Sequence, residues 1–269
     1  MPIVENTMKT KLESGECVFS FNIVISRTPA IAGIVKECGF DWLFIDTEHN
    51  TMDLDTVSTI CIAALPVGIT PIVRVPGPES FHATRVLDGG AQGVIVPHID
   101  TANEAQSVVE NCKFPDIGHR SVTSAAPQLG YETIPSADAI TALNKTTFII
   151  VMLETPKAIE NVEEIAAVPG IDCILIGTND LCATSGIPGQ LGHDRIIKAY
   201  DKVITACNNA GKYPGMGGVY DNELTEKYLR MGIRVAQAGG DTALLMKAGK
   251  ERVNFLNSLD LNEKPNEQS

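Results

Sequence analysis

Phe148-Ile-Ile-Val-Met-Leu-Glu154 and Cys173-Ile-Leu-Ile-Gly-Thr-Asn-Asp180 are two apolar runs, each followed closely by a carboxylate. Short runs rich in Val, Ile and Leu, without polar alternation, are what parallel strands buried on both faces require. Glu154 follows the first run directly and Asp180 follows the second within three residues, so each acid stands where such a strand emerges. Adjacent strands then aim both acids at one small space, the layout of an oxygen-rich divalent cation site on a barrel rim. The arrangement repeats upstream, where Trp42-Leu-Phe-Ile runs into Asp46-Thr-Glu-His49 and Pro71-Ile-Val ends at Arg74. Four hydrophobic strands deliver acid, base and cation to one face, which reads as an enzyme.

Outward from these runs, eight strands are expected near 18–23, 42–46, 71–75, 93–98, 148–154, 173–177, 213–217 and 235–239. Amphipathic helices are expected between them, among others at 101–111, 155–167, 192–210 and 221–231. Several end at a glycine able to take the left-handed cap conformation, as at Gly211 and Gly232. Eight βα units without a linker-like shift in composition favour one closed (β/α)8 barrel over 1–259, with a polar tail at 260–269 expected to be disordered. No Gly-x-Gly-x-x-Gly phosphate signature occurs, and Gly215-Met-Gly-Gly reads as tight packing at the seventh strand. The long connection at 113–145 reads as irregular, placed over the rim as a lid or an oligomer contact. A final amphipathic helix at 242–256 is expected either to close the barrel or to dock on a second subunit.

The 269-residue length suits one large core, and 21 basic against 33 acidic residues leave a net charge of −12. Such a surface repels phosphate backbones and anionic lipid headgroups, so neither nucleic acid nor membrane is an expected partner. The first residues lack a basic start followed by an apolar run, and a cytoplasmic location is expected. Seven cysteines without a Cys-x-x-Cys pair read as reduced thiols. Most, including Cys38, Cys61 and Cys173, are expected to pack. Cys182, just after Asp180, is the one placed for a nucleophilic role.

Each candidate site residue has an ordinary reading beside the chemical one. Glu154 and Asp180 could each cap the helix that follows, but as a pair at adjacent strand ends they favour a hard cation with open positions for water and substrate. His49, three residues after Asp46, can be oriented by that carboxylate and take a proton, or be a hydrogen-bonded loop histidine. Arg74 can stabilise an oxyanion or hold a carboxylate, or simply pair with a neighbouring acid. Asp88 stands at the far end of its helix from the rim, so spacing alone does not place it in the site.

Phe40-Asp-Trp-Leu-Phe-Ile-Asp-Thr-Glu-His49, Pro71-Ile-Val-Arg-Val-Pro76, Arg85-Val-Leu-Asp-Gly-Gly-Ala-Gln-Gly93, Met152-Leu-Glu-Thr155 and Ile176-Gly-Thr-Asn-Asp-Leu181 together resemble the HpcH/HpaI family of class II, metal-dependent pyruvate aldolases. The resemblance runs from about Val18 to Ala248. It implies a (β/α)8 barrel binding Mg²⁺, or Mn²⁺ or Co²⁺, through Glu154 and Asp180. It further implies Arg74 on the keto oxygen of a pyruvate unit and His49 as acid/base working with Asp88. The backbone amides of Asn179 and Asp180, beside Thr178, would receive the substrate carboxylate. A homohexamer with exchanged C-terminal helices is also implied. The chain departs from the family at Met152 (commonly Gln), Thr178 (Pro), Cys182 (Ser) and His98 (a small or apolar residue), and Gly118-His-Arg-Ser121 replaces Gly-x-Arg-Gly.

The expected reaction is reversible aldol cleavage of a 4-hydroxy-2-oxo acid to pyruvate and an aldehyde through a metal-bound enolate. Rivals are oxaloacetate decarboxylation, with or without capture of the enolate by another electrophile as in macrophomate synthase, and a citrate-lyase-β-like action on acyl-CoA esters. A silent barrel that only binds a 2-oxo acid is the rival outside catalysis.

Overall fold

The computed structural model describes residues 4–123 and 126–260, so the expected tail lies, from 261 onward, outside the described residues. Eight parallel strands close into a barrel in sequence order. They are β1 (Val18–Ile23), β2 (Trp42–Asp46), β3 (Thr70–Arg74), β4 (Gly93–Val96), β5 (Phe148–Leu153), β6 (Cys173–Gly177), β7 (Tyr213–Gly217) and β8 (Val235–Gly240). The helices among the described residues are α1 (Thr7–Glu13), α2 (Ala30–Glu37), α3 (Leu54–Val67), α4 (Ser80–Asp88), α5 (Ala102–Cys112) and α6 (Ser136–Thr146). They continue with α7 (Pro156–Glu160), α8 (Val162–Ala166), α9 (Thr178–Thr184), α10 (Asp194–Ala210), α11 (Asn222–Met231) and α12 (Asp241–Asn257). Pairing of Val18 with Val235 and Ser20 with Gln237 joins the last strand to the first.

Side chains alternate across a strand, and here both faces are apolar, which is why the sequence runs show no polar alternation. Trp42 and Phe44, Ile72, Ile95, Phe148, Ile150 and Met152, Cys173 and Leu175, and Val235 fill the barrel interior. The residues between them, such as Leu43, Ile45, Val73, Ile149, Val151 and Ile174, pack against the helices. Carried two residues further, the interior phase reaches Asp46 after Phe44, Arg74 after Ile72, Glu154 after Met152 and Gln237 after Val235. The polar residues at the C-terminal mouth are therefore the top of the interior stack. The opposite mouth is plugged by α1, whose Met8 and Leu12 are buried in the same interior cluster. Asn6 caps α1 by accepting from Lys9 N–H and donates to the Thr146 carbonyl at 2.9 Å.

Four expectations about the elements and their placement change. β4 stops at Val96, short of the expected residue 98, because Pro97 has no N–H for the ladder and His98 takes a left-handed φ of 59°. The helix expected over 155–167 is two helices, parted at Asn161, whose side chain donates to the Asp100 carbonyl at 2.8 Å. The long connection after α5 is not all irregular, since it contains α6. Nor does it lie over the rim: α5 carries the chain down the outside of the barrel, so the connection lies beneath the N-terminal mouth. There the Gln128 amide donates to the carbonyls of Leu87 and Ala91 at 2.6 and 2.7 Å, and Val4 N–H donates to Gln128 O at 2.9 Å.

All seven cysteines are free. Cys61, Cys112, Cys173 and Cys207 are buried, and desolvation raises their thiol pKa, with Cys112 and Cys207 pushed up to about 12. Cys38 is exposed, contrary to its expected packing role. Helix α12 is anchored at its first residue, where Asp241 accepts from the N–H groups of Val24, Ile25 and Ser26 at 3.1, 2.9 and 2.8 Å. Beyond that it stands clear of the barrel and leaves Leu245, Met246, Val253 and Phe255 exposed.

Candidate active site

At the C-terminal mouth a cavity of about 350 Å³ is lined by residues of β1, β2, β3, β5, β6, β7 and β8 and the turns that follow them. The sequence-picked residues Asp46, His49, Arg74, Thr178, Asn179 and Asp180 all line it. Glu154 adjoins them, its carboxylate lying against Gly177 of the lining. Asp88 does not line it. At the end of α4, at the other end of the barrel, its carboxylate receives Arg120 Nη2 of the long connection at 2.6 Å. A helix that follows a strand runs back to the strand's starting end, which carries Asp88 away from its own chain's cavity.

Arg74 is 8% exposed and clamped by two acids. Its Nε and Nη2 donate to the two oxygens of Asp46 at 2.9 and 2.6 Å, and Nη1 lies 2.8 Å from Oε2 of Glu48. The guanidinium rests over the Phe44 ring, 5.2 Å from its centroid. Burial alone would raise the Asp46 carboxyl. The Arg74 bonds and the backbone N–H groups of Glu48 and His49 outweigh it and hold the pKa below the ordinary carboxylate value. Asp46 is thus spent on Arg74 and on the turn, and does not orient the His49 ring as expected. The acid beside that ring is Glu48, with Oε2 3.7 Å from His49 Nε2.

Glu154, 2% exposed, does not cap the helix after it; Thr155 does, accepting from Ala158 N–H at 3.0 Å. One Glu154 oxygen receives the backbone N–H of His98 at 2.8 Å and lies 2.9 Å from His98 Nδ1, while His98 Nε2 lies 3.0 Å from Glu48 Oε1. His98 therefore bridges the two carboxylates, and its left-handed backbone is what lets amide and ring face the same acid. The other Glu154 oxygen, and both of Asp180, receive no hydrogen bond from any described residue. Burial first, and then the charges of Asp180 and Glu48, raise the Glu154 carboxyl pKa against the opposing effect of His98. Two neighbouring acids with unspent oxygens, one buried, fit a divalent cation as the missing counter-charge. Among the described residues no three His, Cys, Asp or Glu side chains converge as a ready-made cage. A cation held by Glu154 and Asp180 keeps its other positions for water and substrate, as Mg²⁺ does.

Glu154 owes its place to Gly177, because a methyl group at 177 would lie 2.6 Å from Glu154 Cγ and 2.7 Å from Oε1. Gly177→Ala is expected to displace the carboxylate and lower kcat/KM by about a hundredfold, while thermal unfolding changes little. Parallel kinetics and melting curves check it. Thr178 is fully buried, donates its one hydroxyl proton to the Gly217 carbonyl at 2.6 Å and accepts from Tyr200 Oη at 2.7 Å, so its hydroxyl ties β6 to β7. Cys182 is buried and its thiol pKa is raised by desolvation, which fits packing and not nucleophilic attack.

Three polar lining residues were not read from the sequence: Asn22, Tyr220 and Gln237. Asn22 Nδ2 donates to Tyr220 Oη at 2.9 Å, and Tyr220 Oη donates to Gln237 Oε1 at 3.3 Å. For Asn22 and Gln237 a signal existed, a polar residue at the interior phase of an otherwise apolar strand. Tyr220 lies in a turn, where no such parity applies.

No helix among the described residues is long and apolar enough to cross a membrane. A family model described as HpcH/HpaI aldolase/citrate lyase matches residues 23–248. The chain is 35% identical over 259 residues to a 4-hydroxy-4-methyl-2-oxoglutarate aldolase of Chaetomium globosum, covering 95% of this chain and 96% of that one. It is 37% identical over 230 residues to another protein of that name from Hapsidospora irregularis, covering 85% of each. The crystal structure of an HpcH/HpaI aldolase from Desulfitobacterium hafniense superimposes with a TM-score of 0.89 at 27% identity, covering 95% of this chain and 98% of that one. With residues 23–248 covered by the family model and relatives above 30% identity spanning most of its length, the chain belongs to the HpcH/HpaI aldolase/citrate lyase family.

Proposed function

We propose that this protein is a divalent-cation-dependent carbon–carbon lyase that reversibly cleaves a 4-hydroxy-2-oxo acid into pyruvate and a carbonyl product. The observation that carries the reading is Arg74, locked by Asp46 and Glu48 and sharing one cavity with Asp180 and, against the cavity wall, Glu154. Breaking the C3–C4 bond moves an electron pair toward the 2-oxo oxygen. A guanidinium that is permanently charged and held in place meets that charge without reorganising. Glu154 and Asp180 would hold Mg²⁺, with Mn²⁺ or Co²⁺ as substitutes, and the bound cation supplies Lewis-acid polarisation of the 2-oxo acid.

His49, 64% exposed in its side chain, is placed to take the 4-hydroxyl proton directly or through water. Glu48 beside it stabilises the imidazolium, and the same proton can return to C3 to give the methyl group of pyruvate. The backbone N–H groups of Asn179 and Asp180, beside Thr178 at the start of α9, are the proposed receivers of the substrate carboxylate. The names of the two relatives support a 4-hydroxy-2-oxo acid as the substrate class. Small 2-oxo acids in the cytoplasm, rather than nucleic acid or membranes, are the proposed partners.

Incubation with Mg²⁺ and 4-hydroxy-2-oxo acids, 4-hydroxy-4-methyl-2-oxoglutarate among them, should release pyruvate, read by a coupled lactate dehydrogenase. Oxaloacetate supplied separately tests decarboxylation. No pyruvate from any of these with Mg²⁺, Mn²⁺ or Co²⁺ would overturn the reading.

Assembly is proposed to cover the exposed apolar residues of α12, in a homohexamer as the family resemblance implies. Light scattering at micromolar concentration should give a multiple of the 28.8 kDa chain mass, and a monomer would remove the proposal.

A further inference from the structure

We propose that Asn22, Tyr220 and Gln237 form an acceptor wall that selects carbonyl compounds bearing oxygen on the carbon next to the carbonyl. The inference rests on the lyase reading above and names the substrate class for the half of the site that Arg74 and the acids leave undefined. The three residues come from three elements, namely β1, the turn after β7, and β8, and all line the same cavity as Arg74 and Asp180.

Their hydrogen bonds run in one direction, and a single backbone group sets it. Gly218 N–H, which can only donate, points at Gln237 at 3.1 Å, so the amide oxygen of Gln237 faces it and the NH2 faces away. The same oxygen accepts from Tyr220 at 3.3 Å, which uses the tyrosine proton and leaves Tyr220 Oη to accept from Asn22 Nδ2 at 2.9 Å. Asn22 Oδ1 in turn accepts from Ser20 Oγ at 2.9 Å. What remains unspent is the Gln237 NH2 and the second N–H of Asn22. Gln237 is 7% exposed as a residue and lines the cavity, and its NH2, which has no protein partner among the described residues, is left free for water or a ligand oxygen there.

The wall therefore offers neutral, oriented donors. The carboxylates of the same cavity, Asp46 and Asp180, with Glu154 against its wall, can only accept when ionised. A bare alkyl group placed at the donors would leave them unpaired, whereas an α-hydroxyl, α-oxo or α-carboxylate oxygen would accept from them. Two glycines keep the wall open. A methyl group at Gly217 would lie 3.4 Å from Gln237 Cδ and 2.9 Å from Leu175 Cδ2, and one at Gly218 would lie 2.5 Å from Asn179 Nδ2.

The test measures kcat/KM for condensation of pyruvate with glycolaldehyde and with propanal, which differ by OH for CH3, and with a second pyruvate as acceptor. It does so in the wild type, Asn22→Leu, Gln237→Met and Tyr220→Phe. Any general loss of activity cancels in the glycolaldehyde-to-propanal ratio taken within one variant, and intrinsic aldehyde reactivity cancels when that ratio is compared between variants. The ratio is expected to fall by about tenfold in Asn22→Leu and in Gln237→Met, the size of one lost hydrogen bond. Tyr220→Phe, at a half-exposed position, is expected to lower it in the same direction by loosening the chain. The pyruvate arm tells whether the oxygen recognised is a carboxylate or a hydroxyl. Exchange of the pyruvate methyl protons in D2O reports enolisation with no acceptor present. Wild-type exchange with a ratio unmoved in all three variants overturns the acceptor wall alone. Neither exchange nor condensation in the wild type overturns the lyase reading and the wall with it.

Discussion

Arg74→Ala is expected to lower both aldol cleavage and oxaloacetate decarboxylation by about a hundredfold to a thousandfold, because both reactions push an electron pair onto the same 2-oxo oxygen. The variant should also lose stability, by about 3–5 kcal/mol, since Asp46 would be left nearly buried without its cation. His49→Ala is the contrasting case. It should lose aldol cleavage by about a hundredfold yet keep much of any decarboxylation, which needs no base for a 4-hydroxyl proton. Steady-state kinetics of both variants in both assays, with chemical denaturation of Arg74→Ala, separate the roles. Equal losses for His49→Ala in the two assays would mean that His49 positions substrate and does not carry the hydroxyl proton.

Removal of the divalent cation by a chelator is expected to abolish turnover, with Mg²⁺, Mn²⁺ or Co²⁺ restoring it. Glu154→Gln and Asp180→Asn should each lower activity by about a thousandfold and weaken Mn²⁺ binding measured by calorimetry or electron paramagnetic resonance. The binding readout matters because Glu154 also receives His98, so its loss disturbs the mouth in two ways. Full activity of both variants in chelator-treated buffer would remove the cation from the proposal. His98→Ala is informative beside them, as it releases Glu154 and Glu48 from their shared imidazole without removing an oxygen ligand.

Much of this molecule is written in a local code. A strand buried on both faces repeats every two residues, so the phase set by Trp42, Phe44, Ile72, Phe148, Ile150 and Met152 also determines that Asp46, Arg74 and Glu154 point inward at the mouth. The eight strands, their apolar character and the acids and cation at their ends were legible for that reason, and family resemblance added the chemistry. The phase of β1 and β8 equally places Asn22 and Gln237 inward, but neither ion pair nor charge drew notice to them. That they share one cavity, linked through Tyr220, is decided by closure of β8 onto β1, across more than two hundred residues of chain.

Closure also decided matters that spacing could not reach. The acid beside His49 is Glu48 rather than Asp46, because Asp46 is already bound twice by a residue from the neighbouring strand. Glu154 is shared with His98, which leaves β4 in a left-handed turn that no period in the sequence announces. The long connection lies beneath the barrel, and Asp88 lies there with it, bound by Arg120, because each helix returns its chain to the end where the strand began. Periodicity is a property of neighbouring residues and is carried by the sequence alone. Which side chain is nearest to which acid depends on strands brought together from distant parts of the chain, and only the folded barrel settles it.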